Sequence, residues 1–191
     1  PEDLTVTGAT VDSRDVRPGD VFGALPGLKI HGTAFAADAV AAGAVAVLTD
    51  VHGERALADA GVAVPVLVTD RPRWAIGEVA AAVYGHPSRE LTVVGVTGTN
   101  GKTTTSYFVD AALSRGHARR GVLGTVELKI VDEAIESPRT TVESPVLHGL
   151  MARMLESDVT AMTTEVSSHA AALDRISGVE FDVAVFTNLQ W

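Results

Sequence analysis

One segment restricts the fold of this chain more than any other: residues 95–105 read GVTGTNGKTTT. The run from Leu91 to Val96 leads into it and is apolar and rich in β-branched residues, which predicts a buried strand. The residues from about Thr103 to Leu113 have a pattern that allows a helix. A strand, a glycine-rich turn and a helix in this order are typical of a phosphate-binding loop, where backbone N–H groups approach an anion.

Lys102 and Thr103 are the loop residues that we expect to act on the nucleotide. The Lys102 ammonium is expected to reach the β- and γ-phosphates, and the Thr103 hydroxyl to bind Mg²⁺. Val96 stands where the general pattern has its first glycine. The alternative interpretation is a glycine-rich turn that carries a surface lysine, but a Gly-Lys-Thr sequence after a strand favours a nucleotide site.

The composition limits the classes of protein that this chain can represent. A net charge of −9 argues against a protein that binds duplex nucleic acid, because phosphate contacts need a basic face. The chain has no cysteine, which fits a reducing compartment and excludes thiolate chemistry. No apolar run approaches the roughly 20 residues of a membrane span. We therefore expect a cytoplasmic protein that has neither a membrane nor a nucleic acid as a partner. We also expect the protein to be a monomer.

Alternating strands and helices predict an α/β protein with two units. Residues 1–88 form the predicted N-terminal α/β domain, and residues 89–191 form a mostly parallel P-loop α/β domain. The segment GHPS at 85–88 breaks the pattern and marks the junction. We expect the second domain to be incomplete, since the chain ends just after a predicted strand.

Three elements carry predictions about burial. Residues 73–84 predict a helix with an apolar stripe of Trp74, Val79, Ala80, Val83 and Tyr84. Residues 64–68 predict a strand that starts near a sheet edge, because it contains Pro65. Residues 181–187 predict a last, buried strand.

Glu165 ends a predicted strand over residues 161–166, and ligands of open α/β sheets bind outside the carboxyl ends of strands. A carboxylate there is well placed as a second Mg²⁺ ligand beside Thr103. A solvated charge is the alternative for a single glutamate, and the phosphate loop favours the metal ligand. Ser167 follows closely, and its hydroxyl is expected to donate to a ligand or to cap the next helix. A serine nucleophile beside His169 is disfavoured, because no G-x-S-x-G elbow surrounds it.

Residue chemistry alone does not decide the role of two short polar segments. Thr140 and Thr141 could cap the helix that is predicted to start near Pro145, or could bind a sugar or phosphate. Ser13 lies in the sequence DSR, which is either a polar turn or an anion site made by an arginine and a hydroxyl.

Several of these segments together resemble the Mur ligases. The resemblance covers almost the whole chain and rests on the sequences GTNGKTT from Gly98, TT from Thr140, EVSSH from Glu165 and FTNL from Phe186, with DSR near the N-terminus. Within the family it is strongest to the members that add the third amino acid of the peptide.

The resemblance implies a nucleotide-sugar-binding N-terminal domain and ATP-dependent amide-bond formation through an acyl-phosphate in peptidoglycan synthesis. ATP and Mg²⁺ are the implied cofactors, and a UDP-N-acetylmuramoyl dipeptide and an amino acid are the implied small-molecule partners. Lys102 and Glu165 are the implied catalytic residues, and Thr103 and Glu165 bind the metal. The residues carried over for ATP are Gly98, Thr99, Asn100, Gly101, Lys102, Thr103 and Thr104. Those carried over for the UDP-sugar peptide are Ser13, Thr140, Thr141, Ser167 and Arg175.

Three other classes are weighed against this interpretation. A folylpolyglutamate synthase or a cyanophycin synthetase is disfavoured by the DSR-containing N-terminal domain. A non-catalytic nucleotide-binding module remains an alternative. A P-loop GTPase is disfavoured, because the chain lacks an Asn-Lys-x-Asp sequence. The chain offers no site for the incoming amine, so we expect residues 1–191 alone to be inactive as a ligase.

Overall fold

The computed structural model describes residues 4–124, 128–131, 133–135 and 142–190. It confirms the predicted α/β class, with two sheets that are mostly parallel. Thr140 and Thr141 lie outside the described residues.

The first sheet contains four parallel strands in chain order. They are β1 (Gly8–Thr10), β2 (Asp20–Gly23), β3 (Ala46–Thr49) and β4 (Val66–Val68). The helices of this unit are α1 (Ala36–Ala41), α2 (Val51–Asp59) and α3 (Pro72–Val83). Short 3-10 helices cover Ser13–Asp15 and Gly32–Phe35. β4 is an edge strand, as Pro65 predicts.

Strand alternation gives the first sheet two buried faces. Val21 packs with Ile76 and Ala80 of α3 on one face, and its neighbour Phe22 packs with Ala36 and Leu57 of α1 and α2 on the other. The helices on both faces therefore cover the sheet, as expected for parallel strands.

The second sheet has six strands in the order β10-β5-β9-β6-β7-β8. They are β5 (Thr92–Thr97), β6 (Arg120–Leu123), β7 (Leu128–Ile130), β8 (Glu133–Ile135), β9 (Ala161–Glu165) and β10 (Val183–Phe186). The first four in that order run parallel, and β7 and β8 extend the sheet as antiparallel strands. The helices are α4 (Lys102–Leu113), α5 (Ser144–Glu156) and α6 (Ser168–Ala172), and a 3-10 helix covers Pro87–Arg89.

α3 of the first unit packs closely against α5 of the second and against residues 177 and 178, which follow α6. A Cβ built on Gly77 would lie 2.7 Å from the Ser177 Cβ, and one built on Gly178 would lie 2.8 Å from the Ala81 Cβ. The fully buried His148 lies in the same contact, and its Nε2 is 2.9 Å from the Ser177 carbonyl oxygen. Burial lowers the pKa of His148, because the charged imidazolium is poorly solvated there.

Ion pairs join the two units around this contact. Glu143, which precedes α5, pairs across the contact with Arg73 of α3 and, within the second unit, with Arg175, whose Nε lies 3.0 Å from the Glu143 Oε1. Arg71 and Asp174 form a second pair between the units at 2.9 Å. The Glu143 pairs are largely buried, so they are screened from water more than a surface pair is.

Two sequence predictions about burial are wrong. β10 is exposed and lies at the edge of its sheet, with Phe186 64% exposed, because in the described part of the chain no strand or helix covers it. Trp74 lies outside the buried face of α3, which is formed by Ile76, Gly77, Ala80 and Ala81, and stacks under the Arg71 guanidinium at 5.5 Å. The buried face has this direction because α3 contacts both the first sheet and α5.

None of the helices in the described ranges is long and apolar enough to cross a membrane.

Candidate functional site

The register of two neighbouring strands brings the candidate site together. β5 and β9 are parallel, and Val96 of β5 is paired with Glu165 of β9. The carboxyl ends of both strands therefore lie at one edge of the sheet, where β5 continues into the glycine-rich loop and then into α4 at Lys102. This edge is where open α/β sheets bind ligands.

A cavity of about 320 Å³ lies at this edge. Its lining includes six of the residues predicted to bind the nucleotide: Thr99, Asn100, Gly101, Lys102, Thr103 and Thr104. It also includes Glu165, the last residue of β9, and Ser167, which lies two residues further on. Thr103 and Glu165 thus face the same space. Gly98 is not part of the lining, and it forms the turn beneath the cavity.

The Lys102 ammonium lies over the loop that precedes it. Its Nζ donates to the carbonyl oxygen of Gly98 at 2.9 Å and to that of Thr99 at 3.3 Å. These acceptors are neutral, so an anion in the cavity would attract the same cation more strongly. The side chain already lines the cavity.

Glu165 is 1% exposed, although it ends a strand at the mouth of the cavity. Gly124 lies against it: a Cβ at that position would come within 2.5 Å of the Glu165 Oε1. A carboxylate at the edge of the cavity that Thr103 also lines is in a position that suits a ligand of Mg²⁺. Among the residues that the structure describes, no group of three or more His, Asp or Glu could hold a metal, so Mg²⁺ would need water and phosphate oxygens as well.

Two glycines give the loop its shape. Gly101 has φ of 81°, and Gly98 has φ of 136°, values that side chains with a Cβ rarely adopt. No atom lies within 4 Å of a Cβ built on Gly101, so this side of the turn is open toward the cavity. Gly98 instead faces the segment that follows β10, with Thr187 and Asn188 in close contact.

Of the residues expected to bind the sugar peptide, Ser167 and Arg175 lie in the second unit but have different contacts. The Ser167 hydroxyl oxygen accepts from the Ala170 N–H at 3.1 Å and caps α6. Arg175 is not in the cavity lining, and its guanidinium pairs with Glu143 at the contact between the units. The structure thus places one of these residues beside the loop and the other at the junction.

Ser13 lies in the first unit, in the 3-10 helix that follows β1. Asp12 caps this helix by accepting from the Arg14 N–H at 3.0 Å, and the Arg14 guanidinium pairs with the same carboxylate. Within the described ranges no hydrogen bond joins Ser13 to the second unit. It does lie at the carboxyl edge of the first sheet, where α3 also begins, at Pro72.

Sequence reasoning gave no role to Thr187 and Asn188, although both contact the loop directly. The available signal was a polar Thr-Asn pair immediately after an apolar strand, at the same sheet edge as the loop. The role of Glu143 between two arginines was also missed, because neither partner is near it in sequence.

Comparisons with known proteins agree with this geometry. A family model described as the Mur ligase middle domain matches residues 96–190, and one described as the Mur ligase family catalytic domain matches residues 5–84. Between them the two models cover both units.

Curated relatives match the chain over nearly its full length. A UDP-N-acetylmuramoyl-L-alanyl-D-glutamate–2,6-diaminopimelate ligase of Streptomyces avermitilis is 52% identical over 187 residues, which is 98% of this chain and 36% of the relative. A UDP-N-acetylmuramyl-tripeptide synthetase of Leifsonia xyli is 46% identical over 97% of this chain and 36% of its own length. The chain thus spans about 36% of these relatives.

A solved structure of a UDP-N-acetylmuramoyl-L-alanyl-D-glutamate–2,6-diaminopimelate ligase has the same fold over this region. Its TM-score is 0.77 at 29% identity, and the match covers 97% of this chain and 37% of the solved one.

Proposed function

Since the chain belongs to the Mur ligase family, we propose that it is part of an ATP-dependent ligase that adds the third amino acid to UDP-N-acetylmuramoyl-L-Ala-D-Glu in peptidoglycan synthesis. The observation that carries this proposal is the shared cavity of the phosphate loop, Thr103 and Glu165. The names of the relatives support the acceptor, and 2,6-diaminopimelate as the incoming amino acid. Because the chain spans about 36% of these relatives, the complete reaction is proposed for the whole protein.

ATP is proposed to bind with its phosphates at residues 98–104. The N-terminus of α4 supplies backbone donors and a partial positive charge, and Lys102 supplies a full one. Mg²⁺ is proposed to bind Thr103 and Glu165, which would neutralise charge on the transferred phosphoryl group. Glu165 suits this role because its carboxylate is buried at the cavity.

The UDP-sugar peptide is proposed to bind between the two units, which we divide at residues 88 and 89. Ser13 would contact it from the first unit, and Thr140, Thr141, Ser167 and Arg175 from the second. An anionic ligand rich in hydroxyl groups suits arginine and hydroxyl donors. The ion pairs at the junction support this choice, because they keep the Arg175 guanidinium near the N-terminus of α3.

The protein is further proposed to act in the cytoplasm as a monomer. For residues 1–191 by themselves we propose binding of ATP and of the UDP-sugar peptide, without ligation of an amino acid.

Calorimetric titration of the chain with MgATP, MgGTP and UDP-N-acetylmuramoyl-L-Ala-D-Glu tests the proposal. We expect MgATP and the UDP compound to bind, and MgGTP to bind at least about tenfold more weakly than MgATP. Equal affinity for both nucleotides would contradict an ATP-dependent ligase. Binding of MgATP without the UDP compound would support the alternative of a general nucleotide-binding module.

A further inference from the structure

We propose that Asn188 is a positioning residue that holds the phosphate loop in its binding shape before a nucleotide arrives. The inference rests on the proposed nucleotide site at residues 98–104 and concerns a residue outside that loop. Asn188 lies two residues beyond β10, and it is 88 residues from its partner Asn100.

Asn188 makes three hydrogen bonds to two consecutive loop residues. Its backbone carbonyl accepts from the Thr99 N–H at 2.9 Å, and its side-chain Oδ1 accepts from the Asn100 N–H at 3.1 Å. Its Nδ2 donates to the Asn100 carbonyl oxygen at 3.0 Å. One side chain thus accepts from the N–H and donates to the carbonyl oxygen of the same residue, Asn100, which an alanine or leucine side chain could not do.

The neighbours of Asn188 extend the same contact. The Thr187 hydroxyl donates to the Asn100 carbonyl oxygen at 2.7 Å, and the Gln190 N–H donates to the Thr99 hydroxyl at 3.0 Å. Gly98 permits this approach, because a Cβ there would lie 2.1 Å from the Thr187 hydroxyl oxygen and 2.9 Å from the Asn188 carbonyl. Residues 187–190 therefore run alongside the loop and contact it at residues 98–100.

These contacts divide the loop amides into two groups. The N–H groups of Thr99 and Asn100 already donate to Asn188. The N–H groups at the start of α4, from Gly101 to Thr104, belong to the part of a helix that has no acceptor within the helix. We therefore expect the phosphates to bind to the amides of residues 101–104, and Thr99 and Asn100 to contribute through the shape of the loop.

The hydrogen bonds of Asn188 should raise the affinity for a nucleotide because they order the loop before the nucleotide binds. A loop that is already fixed loses little conformational entropy when the ligand binds, whereas a free glycine-rich loop must be ordered at that moment. The effect of Asn188 should thus appear in nucleotide affinity, although its side chain is not part of the cavity lining.

The test compares Asn188→Ala with Leu189→Ala, a neighbour that is 65% exposed and makes no hydrogen bond to the loop through its side chain. MgADP affinity, measured by calorimetry, should fall at least about tenfold in Asn188→Ala and stay within about twofold in Leu189→Ala. The amide exchange of the chain, measured by NMR, supplies a second readout. In Asn188→Ala the Asn100 amide should exchange faster, while the Thr99 amide, bonded to the backbone of residue 188, stays protected.

The outcomes separate this inference from the proposed function. If the unaltered chain binds no MgADP, the nucleotide site itself is contradicted. If the unaltered chain binds MgADP and Asn188→Ala binds it equally well, only the role of Asn188 is contradicted. Equally fast exchange of the Asn100 amide in both proteins would also contradict it.

A second pair of variants serves if Asn188→Ala does not fold. Thr187→Val removes the hydroxyl that donates to Asn100 and keeps the side-chain shape, while Thr187→Ser keeps the hydroxyl. MgADP affinity should fall in the first variant and be retained in the second. Equal affinity in the two would contradict a positioning role for this segment.

Discussion

Gly98 and Thr187 lie so close together that a Cβ added to Gly98 would be 2.1 Å from the Thr187 hydroxyl oxygen. Gly98 also has φ of 136°, so its position in the loop demands both an unusual backbone conformation and the absence of a side chain. The loop and the segment after β10 are therefore in contact at a point where neither can shift without the other.

The first prediction concerns this glycine. Gly98→Ala should lower the free energy of unfolding by about 1–3 kcal/mol, because it adds backbone strain, and the clash with Thr187 adds to that cost. Gly116→Ala is the matched control, since no atom lies within 4 Å of a Cβ at that position. Urea unfolding measures both. An equal stability of the two variants would show that the loop can move away from residue 187 at no cost.

The second prediction concerns the Lys102 cation. Lys102→Ala should reduce MgATP affinity at least about tenfold, or about 1.4 kcal/mol, because it removes the charge that faces the phosphates. Lys129→Ala removes the same charge on β7, away from the loop, and should leave the affinity unchanged. Calorimetry on both variants decides the matter, and equal affinities would exclude Lys102 as a phosphate ligand.

The third prediction concerns the metal. Glu165→Gln keeps the shape of the side chain and removes its charge, so the gain in ADP affinity that Mg²⁺ provides should shrink at least about tenfold. Affinity for ADP without metal should not fall, because a negative charge near the phosphates has been removed. Titrations with and without Mg²⁺ measure the difference, with Glu156→Gln at the exposed end of α5 as the control. An unchanged Mg²⁺ effect in Glu165→Gln would place the metal elsewhere.

The fourth prediction concerns pH. Burial lowers the pKa of His148 below its ordinary value of about 6.5, while the hydrogen bond to the Ser177 carbonyl and the charge of Glu78 oppose this shift and His86 adds to it. The unfolded chain therefore takes up a proton at this residue before the folded one does. Stability should be complete above about pH 6.5 and should decline as the pH falls toward the lowered pKa.

His148→Gln should remove part of this decline, and His52→Gln, at an exposed position, should not. Unfolding free energies between pH 7.5 and about pH 5.5 would measure the slopes. Identical slopes in the unaltered chain and His148→Gln would show that His148 is not responsible.

The fifth prediction concerns the ion pairs between the units. Glu143→Gln leaves Arg73 and Arg175 without their shared carboxylate in a largely buried place, and should cost roughly 1–3 kcal/mol of stability. Glu180→Gln breaks the exposed pair with Arg89 and should cost less than about 1 kcal/mol. Chemical unfolding of both variants compares them. Similar costs would mean that burial does not strengthen the Glu143 pairs.

Local patterns were enough to predict the class of fold and the centre of the site. The strand, loop and helix at residues 91–113 follow from neighbouring residues, and the carboxyl-edge rule then brings Glu165 to the same side of the sheet. Several helix and strand boundaries differ by one or two residues from the predicted ones, as at β10, which spans Val183–Phe186 where the sequence predicts a strand over residues 181–187.

Features that depend on contacts between residues far apart in the sequence could not be predicted from these local patterns. The exposure of β10 depends on what covers the sheet edge, which no run of apolar residues specifies. The pairing of Glu143 with Arg73 spans 70 residues of sequence and needs the contact between the units. His148 is not spaced from other histidines as metal ligands are, so no pattern in the sequence singles it out. Its burial follows from the packing of α3 on α5.

The hydrogen bonds between Asn188 and Asn100 also have a consequence for the order in which parts of the chain fold during synthesis. A ribosome makes the glycine-rich loop 88 residues before it makes the segment that holds the loop in place. Long-range pairings of this kind form late, since the intervening chain must first be ordered. The nascent polypeptide should thus acquire its first domain well before it acquires affinity for ATP, and ribosome-bound chains that end before residue 188 should not be retained by an ATP resin.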